Sequence, residues 1–222
     1  MSVKYTVIRK NIKKANIKVS INCKVTITVP LYYSEEYIHQ LVEEKKSWII
    51  KQLARMEEKN KSKLVAPSGS IIYLGEIYTL QRNIAMGRFY SIDKENKVII
   101  SGQDFEDLKI CAKFYRDQAN IIIPARVNRM AKEHGFNFEK TIVRTTKRTW
   151  GTCRGKKIIT MNKRLILAPI FVIDAVALHE LVHTEISKHS QKFYDRLQQV
   201  CPNYKDADKW LETYFPTEYI PF

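Results

Sequence analysis

Ala177-Leu178-His179-Glu180-Leu181-Val182-His183, with His189 six residues beyond, is the stretch of this chain around which the remainder has to be arranged. Residues four apart on an α-helix lie one turn apart on one face, so His179 and His183 can both point an imidazole at one metal ion. Glu180 sits beside that pair. It is too close to His179 in sequence to make a comfortable third ligand, but it is placed to reach a water activated by the metal and take its proton. Catalytic zinc takes three protein ligands and keeps a fourth position open, and His189 is the nearest candidate for the third. Ten residues of unbroken helix would turn His189 about 280° round the axis from His179, at roughly 100° per residue. The chain is therefore expected to bend between about Ile186 and Lys188, with Ser190 capping a new helix that carries Phe193, Leu197 and Val200 on one face.

The segment leading into this helix, Leu165 to Leu178, is the most apolar in the sequence, but Pro169 and Asp174 interrupt it and it is short for a bilayer. It reads as a buried helix opened by Pro169. The N-terminus lacks the apolar run of a secretory signal, so no membrane association and a cytoplasmic location are expected. Cys23, Cys111, Cys153 and Cys201 form no C-x-x-C pair, which excludes a zinc ribbon and fits reduced thiols in or near a core. At 222 residues, with 45% hydrophobic and 27% charged residues, the chain has the composition of an ordinary globular protein of one large or two small domains.

The compositional outlier is a net charge of +15, and its placement matters more than its size. Lys4 to Lys24 carries seven basic residues and no acid, and Arg144 to Arg164 carries eight and no acid. A charge run is most often a solvated face. Because the second run directly precedes the histidine helix, it could instead line the cleft and draw in an anionic substrate or nucleic acid, with Arg144, Arg148 and Lys156 as candidate substrate-binding residues.

Working outward, apolar residues at odd positions from Val19 to Val29 predict a hairpin with its turn near Asn22, ending at Pro30. Ser34 with Glu35 and Glu36 opens a helix whose stripe runs from Ile38 through Trp48 to Leu53. Asn60 to Ser70 reads as a linker. Four short strands are expected at Ile71–Leu74, Ile77–Asn83, Phe89–Ile92 and Val98–Ile100. A long helix over Phe105 to His134 should kink or restart at Pro124 and stop at Gly135. Strands at 136–144 and 158–161 follow, and Pro202 separates the helix after His189 from a last one near Asp206–Tyr214. The whole is an α+β chain, with a β-rich region and one helix over 1–102 and a metal-binding domain over 103–222, in which the active-site helix packs on a small sheet.

Arg148-Thr149-Trp150-Gly151-Thr152-Cys153, Met161-Asn162, Leu165, Pro169, the histidine constellation, Phe193 and Pro202-Asn203-Tyr204 through Trp210-Leu211 together resemble the YgjP-like metal-dependent hydrolases, relatives of the SprT-like zinc metallopeptidases. The resemblance runs the length of the chain and is strongest from about Arg144 to Leu211. It implies a zincin-like hydrolase domain with His179, His183 and His189 holding one Zn2+ per chain and Glu180 as catalytic base. Thr152 stands where the family more often has serine, and Ile186 stands where metzincin proteases have glycine, so no metzincin turn is implied. Trp150 and Cys153 are expected to pack the hairpin against the metal helix, whereas Arg148 could meet a carboxylate or a substrate.

Such a site can attack a peptide carbonyl or a phosphoryl group. The motif and the SprT-like kinship favour a peptide, for which an exposed strand edge beside the metal is needed. The basic run, and the action on nucleoside triphosphates that the resemblance brings in, favour a phosphate ester. A third possibility is a nucleic-acid-binding protein with a structural zinc, which needs a fourth ligand such as Glu185 or His134.

Overall fold

The structure is a computed structural model that describes residues 3–20, 23–155 and 157–215, apart from the Lys59 side chain. It is an α+β chain of two compact units, one ending at Lys63 and the other beginning at Leu64.

In the smaller unit, strands β1 (Tyr5–Lys10), β2 (Asn16–Val19) and β3 (Val25–Pro30) form a sheet of order β1-β3-β2, covered on one face by helix α1 (Glu35–Lys61). The β2–β3 pairing is antiparallel, as a hairpin requires, and the turn position Asn22 lies outside the described residues. Sequence patterns do not announce β1, which pairs in parallel with β3. Val25, Ile27 and Val29 are buried with Ile38, Val42 and Ile49, so the period of two on the strand meets the period of the helix in one core. Ser34 caps α1 by accepting from the Tyr37 N–H, and Glu35 and Glu36 complement the positive end of its dipole.

The larger unit has two sheets. Strands β4 (Ser70–Tyr73), β5 (Glu76–Arg82), β6 (Tyr90–Asp93) and β7 (Val98–Ser101) form the order β4-β5-β7-β6. Strands β8 (Lys140–Arg144), β9 (Gly151–Arg154) and β10 (Ile158–Asn162) form the order β8-β10-β9. Helix α2 (Leu108–His134) is capped by Asp107, runs through Pro124 without restarting, and stops at Gly135 in the left-handed region. The histidine helix is α3 (Ile170–Val182), with Pro169 at its N-cap position, followed by α4 (Gln191–Val200) and α5 (Tyr204–Thr213).

The boundary between 102 and 103 drawn from sequence is moved to Lys63/Leu64. The physical reason is burial: Ile71, Ile72, Tyr73, Tyr78 and Ile99 belong to the same core as α2 and α3. Polar ties reinforce the join, since the Tyr73 hydroxyl donates to Gln118 at 2.6 Å and the Tyr115 hydroxyl to the Ile72 carbonyl at 2.8 Å.

Three devices fix where α3 lies. Helix α3 is apolar almost all round and buried along most of its length, as a central helix must be. Its entry is clamped by the β4–β5 turn, where the Leu74 and Gly75 N–H groups donate to the Ile166 and Leu167 carbonyls at 2.9 Å each. A β-carbon on Gly75 would lie 2.3 Å from Cγ of Pro169, and its φ of +83° also favours glycine. Finally, Arg126 of α2 meets Asp174 of α3 through a two-pronged ion pair, with Nε to Oδ1 at 2.6 Å and Nη2 to Oδ2 as the second contact. The first and last described segments of this unit also meet, the Leu64 N–H donating to the Tyr214 carbonyl at 3.0 Å. Among the described residues no helix is long and apolar enough to cross a membrane.

Candidate active site

Helix α3 ends at Val182, earlier than the bend expected at 186–188, and His183 is already its C-cap residue. The Thr184 hydroxyl donates to the Leu181 carbonyl at 2.7 Å, and the N–H groups of Glu185 and Ile186 donate to that of Val182. These bonds satisfy the last turn and let the chain swing back. Residues 184–190 then carry His189 over the two helical histidines, and α4 begins beside it.

The three imidazoles converge. Nε2 of His189 is 2.9 Å from Nε2 of His179 and 3.1 Å from Nε2 of His183, and one ligand atom from each ring lies within 4.8 Å of the others. One nitrogen carries at most one hydrogen, so hydrogen bonding cannot satisfy both contacts of His189 at once. The Nδ1 of His183 lies 3.1 Å from the Ile186 carbonyl. Nδ1 must donate there, which leaves the Nε2 lone pair directed into the cluster. Burial and then the neighbouring imidazoles push the pKa of His179 down to about 4, and burial lowers that of His183. Neutral rings with convergent lone pairs are what a zinc ion requires. Tetrahedral zinc with bonds of about 2.0–2.1 Å would set its nitrogens about 3.3 Å apart, a small opening from the distances here. The donor set therefore fits the metal. Fully buried Phe193 of α4 underlies all three rings, its centroid 4.9, 4.5 and 4.8 Å from those of His179, His183 and His189.

Glu180, one position on from His179 round α3, points against β9 and lines the same cavity as the histidines. It is 6% exposed, and burial pushes its carboxyl up to about 7 even though the Cys153 N–H bonds to it. A β-carbon on Gly151 would stand 2.5 Å from Cγ of Glu180, so only glycine lets strand and side chain approach this closely. This explains the glycine of the Trp-Gly-Thr-Cys element, a role that sequence reading does not assign. Asn162 supports the same strand: its N–H donates to the Trp150 carbonyl at 2.8 Å, and its Nδ2 reaches the Thr146 and Thr149 carbonyls at 3.0 Å each. Trp150, expected to pack against the metal helix, has its ring on Phe215 just beyond α5, with centroids 4.4 Å apart, and the Arg164 guanidinium lies over both rings.

Histidines, Glu180 and residues 149–154 border one cavity of about 540 Å³, closed on its far side by Leu197, Tyr204, Asp208 and Leu211. Strand β9 is the outer strand of its sheet. The Trp150 carbonyl faces β10, so by the alternation of an antiparallel ladder Gly151 and Cys153 turn their backbone groups away from β10.

The candidate substrate-binding residues are not gathered here. Arg144 is the exposed last residue of β8, two strands from the edge that borders the cavity, and Arg148 is exposed in the loop before β9. Neither lines the cavity, and Lys156 lies outside the described residues. Arg154, which sequence reading does not single out, does line it. Of the suggested fourth ligands, Glu185 is held by Arg196 at 3.0 Å and His134 ends α2 outside the histidine group.

An α+β chain with an H-E-x-x-H helix, a third convergent histidine and a buried glutamate against an edge strand has the form of a metal-dependent hydrolase. Comparison with protein families agrees: residues 13–214 match the family described as YgjP-like, metallopeptidase domain, and the chain belongs to that family. The family implies a metal. No curated protein and no solved structure matches the chain.

Proposed function

We propose that the protein is a zinc-dependent peptidase in which His179, His183 and His189 hold one Zn2+ per chain and Glu180 is the general base. One observation carries the choice of a peptide as substrate: the outer edge of β9 borders the same cavity as the histidines and Glu180. An extended peptide can add to that edge as a further strand, held by main-chain hydrogen bonds and therefore with little dependence on its side chains. Bound zinc supplies Lewis acidity, making a water nucleophilic near neutral pH and polarising the carbonyl under attack.

The remaining work falls to residues of this chain. The Ile186 carbonyl keeps His183 in the tautomer that offers Nε2. The Cys153 N–H and the close face of Gly151 orient the Glu180 carboxylate, which accepts the proton of the attacking water and returns it to the departing amine. A proton affinity raised towards neutrality by burial suits both halves of that transfer. Phe193 excludes water from beneath the histidines.

A phosphate ester is the weaker reading. Hydrolysis of a nucleoside triphosphate calls for several cations converging on the phosphates, and among the described residues Arg154 is the one lysine or arginine lining the cavity, with Asp208 opposing it. Among the described residues the histidine group has no fourth ligand for a structural zinc. The free thiols of Cys111, Cys153 and Cys201, two of them buried, fit a cytoplasmic location.

Zinc-loaded protein assayed side by side on casein-derived peptides and on the four nucleoside triphosphates, with Glu180→Ala as control, tests the proposal. Zinc-dependent peptide cleavage that the control lacks is expected. Triphosphate hydrolysis without peptide cleavage would overturn it.

A further inference from the structure

Charge in the smaller unit is divided between its two layers. All six acidic residues of residues 1–63 lie on α1, from Glu35 to Glu58, where six basic residues balance them. The sheet layer from Lys4 to Lys24 holds seven basic residues and no acid. One of the seven, Arg9, is committed to the start of α1, bonding the Tyr33 carbonyl at 2.5 Å and Glu35 at 2.6 Å. The others are not drawn into the protein in this way.

Strand parity decides where they point. Val25, Ile27 and Val29 face α1, so the even positions of all three strands face the other way. Lys10 and Lys18 lie on that open face, and Lys4 and Lys24, immediately before β1 and β3, continue the same parity. The register sets Tyr5 beside Val25 and Lys18 beside Thr26, which gathers Lys4, Lys18 and Lys24 at one end of the sheet. Lys10 stands at the other end, where Lys13 and Lys14 follow in the exposed loop. All six are exposed, and among the described residues none is in an ion pair. Between the two ends lie Thr6, Thr26, Thr28 and Asn16, short neutral groups that can donate hydrogen bonds, together with one apolar side chain, Ile8.

We infer that this open sheet face docks the phosphate backbone of duplex nucleic acid, without reading its sequence. Lysine meets phosphate as a point charge and lacks the planar fork with which arginine reads guanine. The even positions offer no aromatic ring on which an unpaired base could stack, which disfavours a single strand. Six residues of strand separate the cationic ends by about 20 Å, enough with lysine reach to span a groove of about 12 Å and the backbones that border it. The inference is independent of how the histidine site is read.

The test measures fluorescence anisotropy of a labelled 20-base-pair duplex of mixed sequence, titrated with the full chain over a series of salt concentrations. Two variants each lose four charges. One replaces Lys4, Lys10, Lys18 and Lys24 with threonine; the other replaces Lys45, Lys51, Arg55 and Lys61 of α1 with glutamine, and all eight residues are exposed. Each phosphate contact contributes about 0.9 to the slope of log K against log salt. The sheet variant should therefore lose up to about 3.6 units of slope and at least about 30-fold in affinity at 0.1 M salt, while the helix variant stays within about 3-fold of wild type. Circular dichroism should be unchanged in both. Equal losses in the two variants would show that total charge alone matters and overturn the inference, as would no binding of the duplex at 50 mM salt. Binding to phosphatidylserine vesicles but not to the duplex would likewise overturn it and assign the face to a membrane surface.

Discussion

A β-carbon at Gly151 would fall 2.5 Å from Cγ and 2.6 Å from Oε1 of Glu180, so the outer strand and the proposed base are in direct contact. Gly151→Ala must push that carboxylate aside or shift β9. The atoms nearest to that added carbon all belong to Glu180 and none to the histidine group, so zinc content should stay at that of wild type. Turnover should fall by on the order of 10²-fold, the usual consequence of misplacing a reacting group by about 1 Å. Elemental analysis and kcat on one preparation check both halves; wild-type turnover would mean that Glu180 relaxes freely.

Glu180→Gln should retain zinc and fold but lose on the order of 10²-fold or more in rate, because a carboxamide cannot accept a proton. The metal-stripped protein gives a second readout. Burial raises this carboxyl from 4.5 to about 7 in the folded chain. The folded form then holds more protons than the unfolded one between those values, so the contribution to stability is full below about 4.5 and lost as pH rises through 7. At pH 8 the buried charge costs up to about 3 kcal/mol. Metal-free Glu180→Gln should melt several degrees above metal-free wild type at pH 8 and alongside it at pH 4.5.

His189→Ala should weaken zinc binding by more than about 10²-fold, since loss even of an outer partner of a ligand costs 10–100-fold. Competition with a colorimetric chelator measures this. Glu185→Ala is the control, because Glu185 already pairs with Arg196 and should leave affinity unchanged.

The Arg126–Asp174 pair, with side chains 19% and 17% exposed, joins the two helices that set the site. Asp174→Asn should cost about 2 kcal/mol by leaving the guanidinium without its anion. Arg126→Met should cost a similar amount, and the double variant less than the sum. Denaturant unfolding of the four proteins closes the cycle.

Local patterns in the sequence are enough to read α1, the β2–β3 pairing, the four strands from Ser70 to Ser101 and a second helix following the histidine helix, although Ser190 at its N-cap position makes no side-chain capping bond. His189 is reachable because helical geometry alone forbids an unbroken helix. What is not reachable depends on distant contacts. Strand β1 shows only a faint alternation, ends in Arg9 and Lys10, and pairs directly with β3 although β2 comes between them in the sequence. The limit between the units is misplaced from sequence because β4–β7 look like a separate sheet until their burial against α2 is seen. The link of Gly151 to Glu180 spans 29 residues and leaves only a lone glycine in the sequence as its trace. Arg144 and Arg148 adjoin the site along the chain, yet sheet order and the loop before β9 carry them away from the cavity.

The hydrogen bond from Leu64 to Tyr214 brings the first residue of the larger unit beside the end of its last helix. Tyr214 and Leu64 can therefore be joined by a short glycine-rich bridge and the chain reopened elsewhere, for instance in the exposed Lys94-Glu95-Asn96 turn, with every described strand and helix of the unit kept. The hydrolase unit is by this geometry a permutable cassette, able to sit inside a loop of another protein as readily as behind the sheet and helix that precede it here.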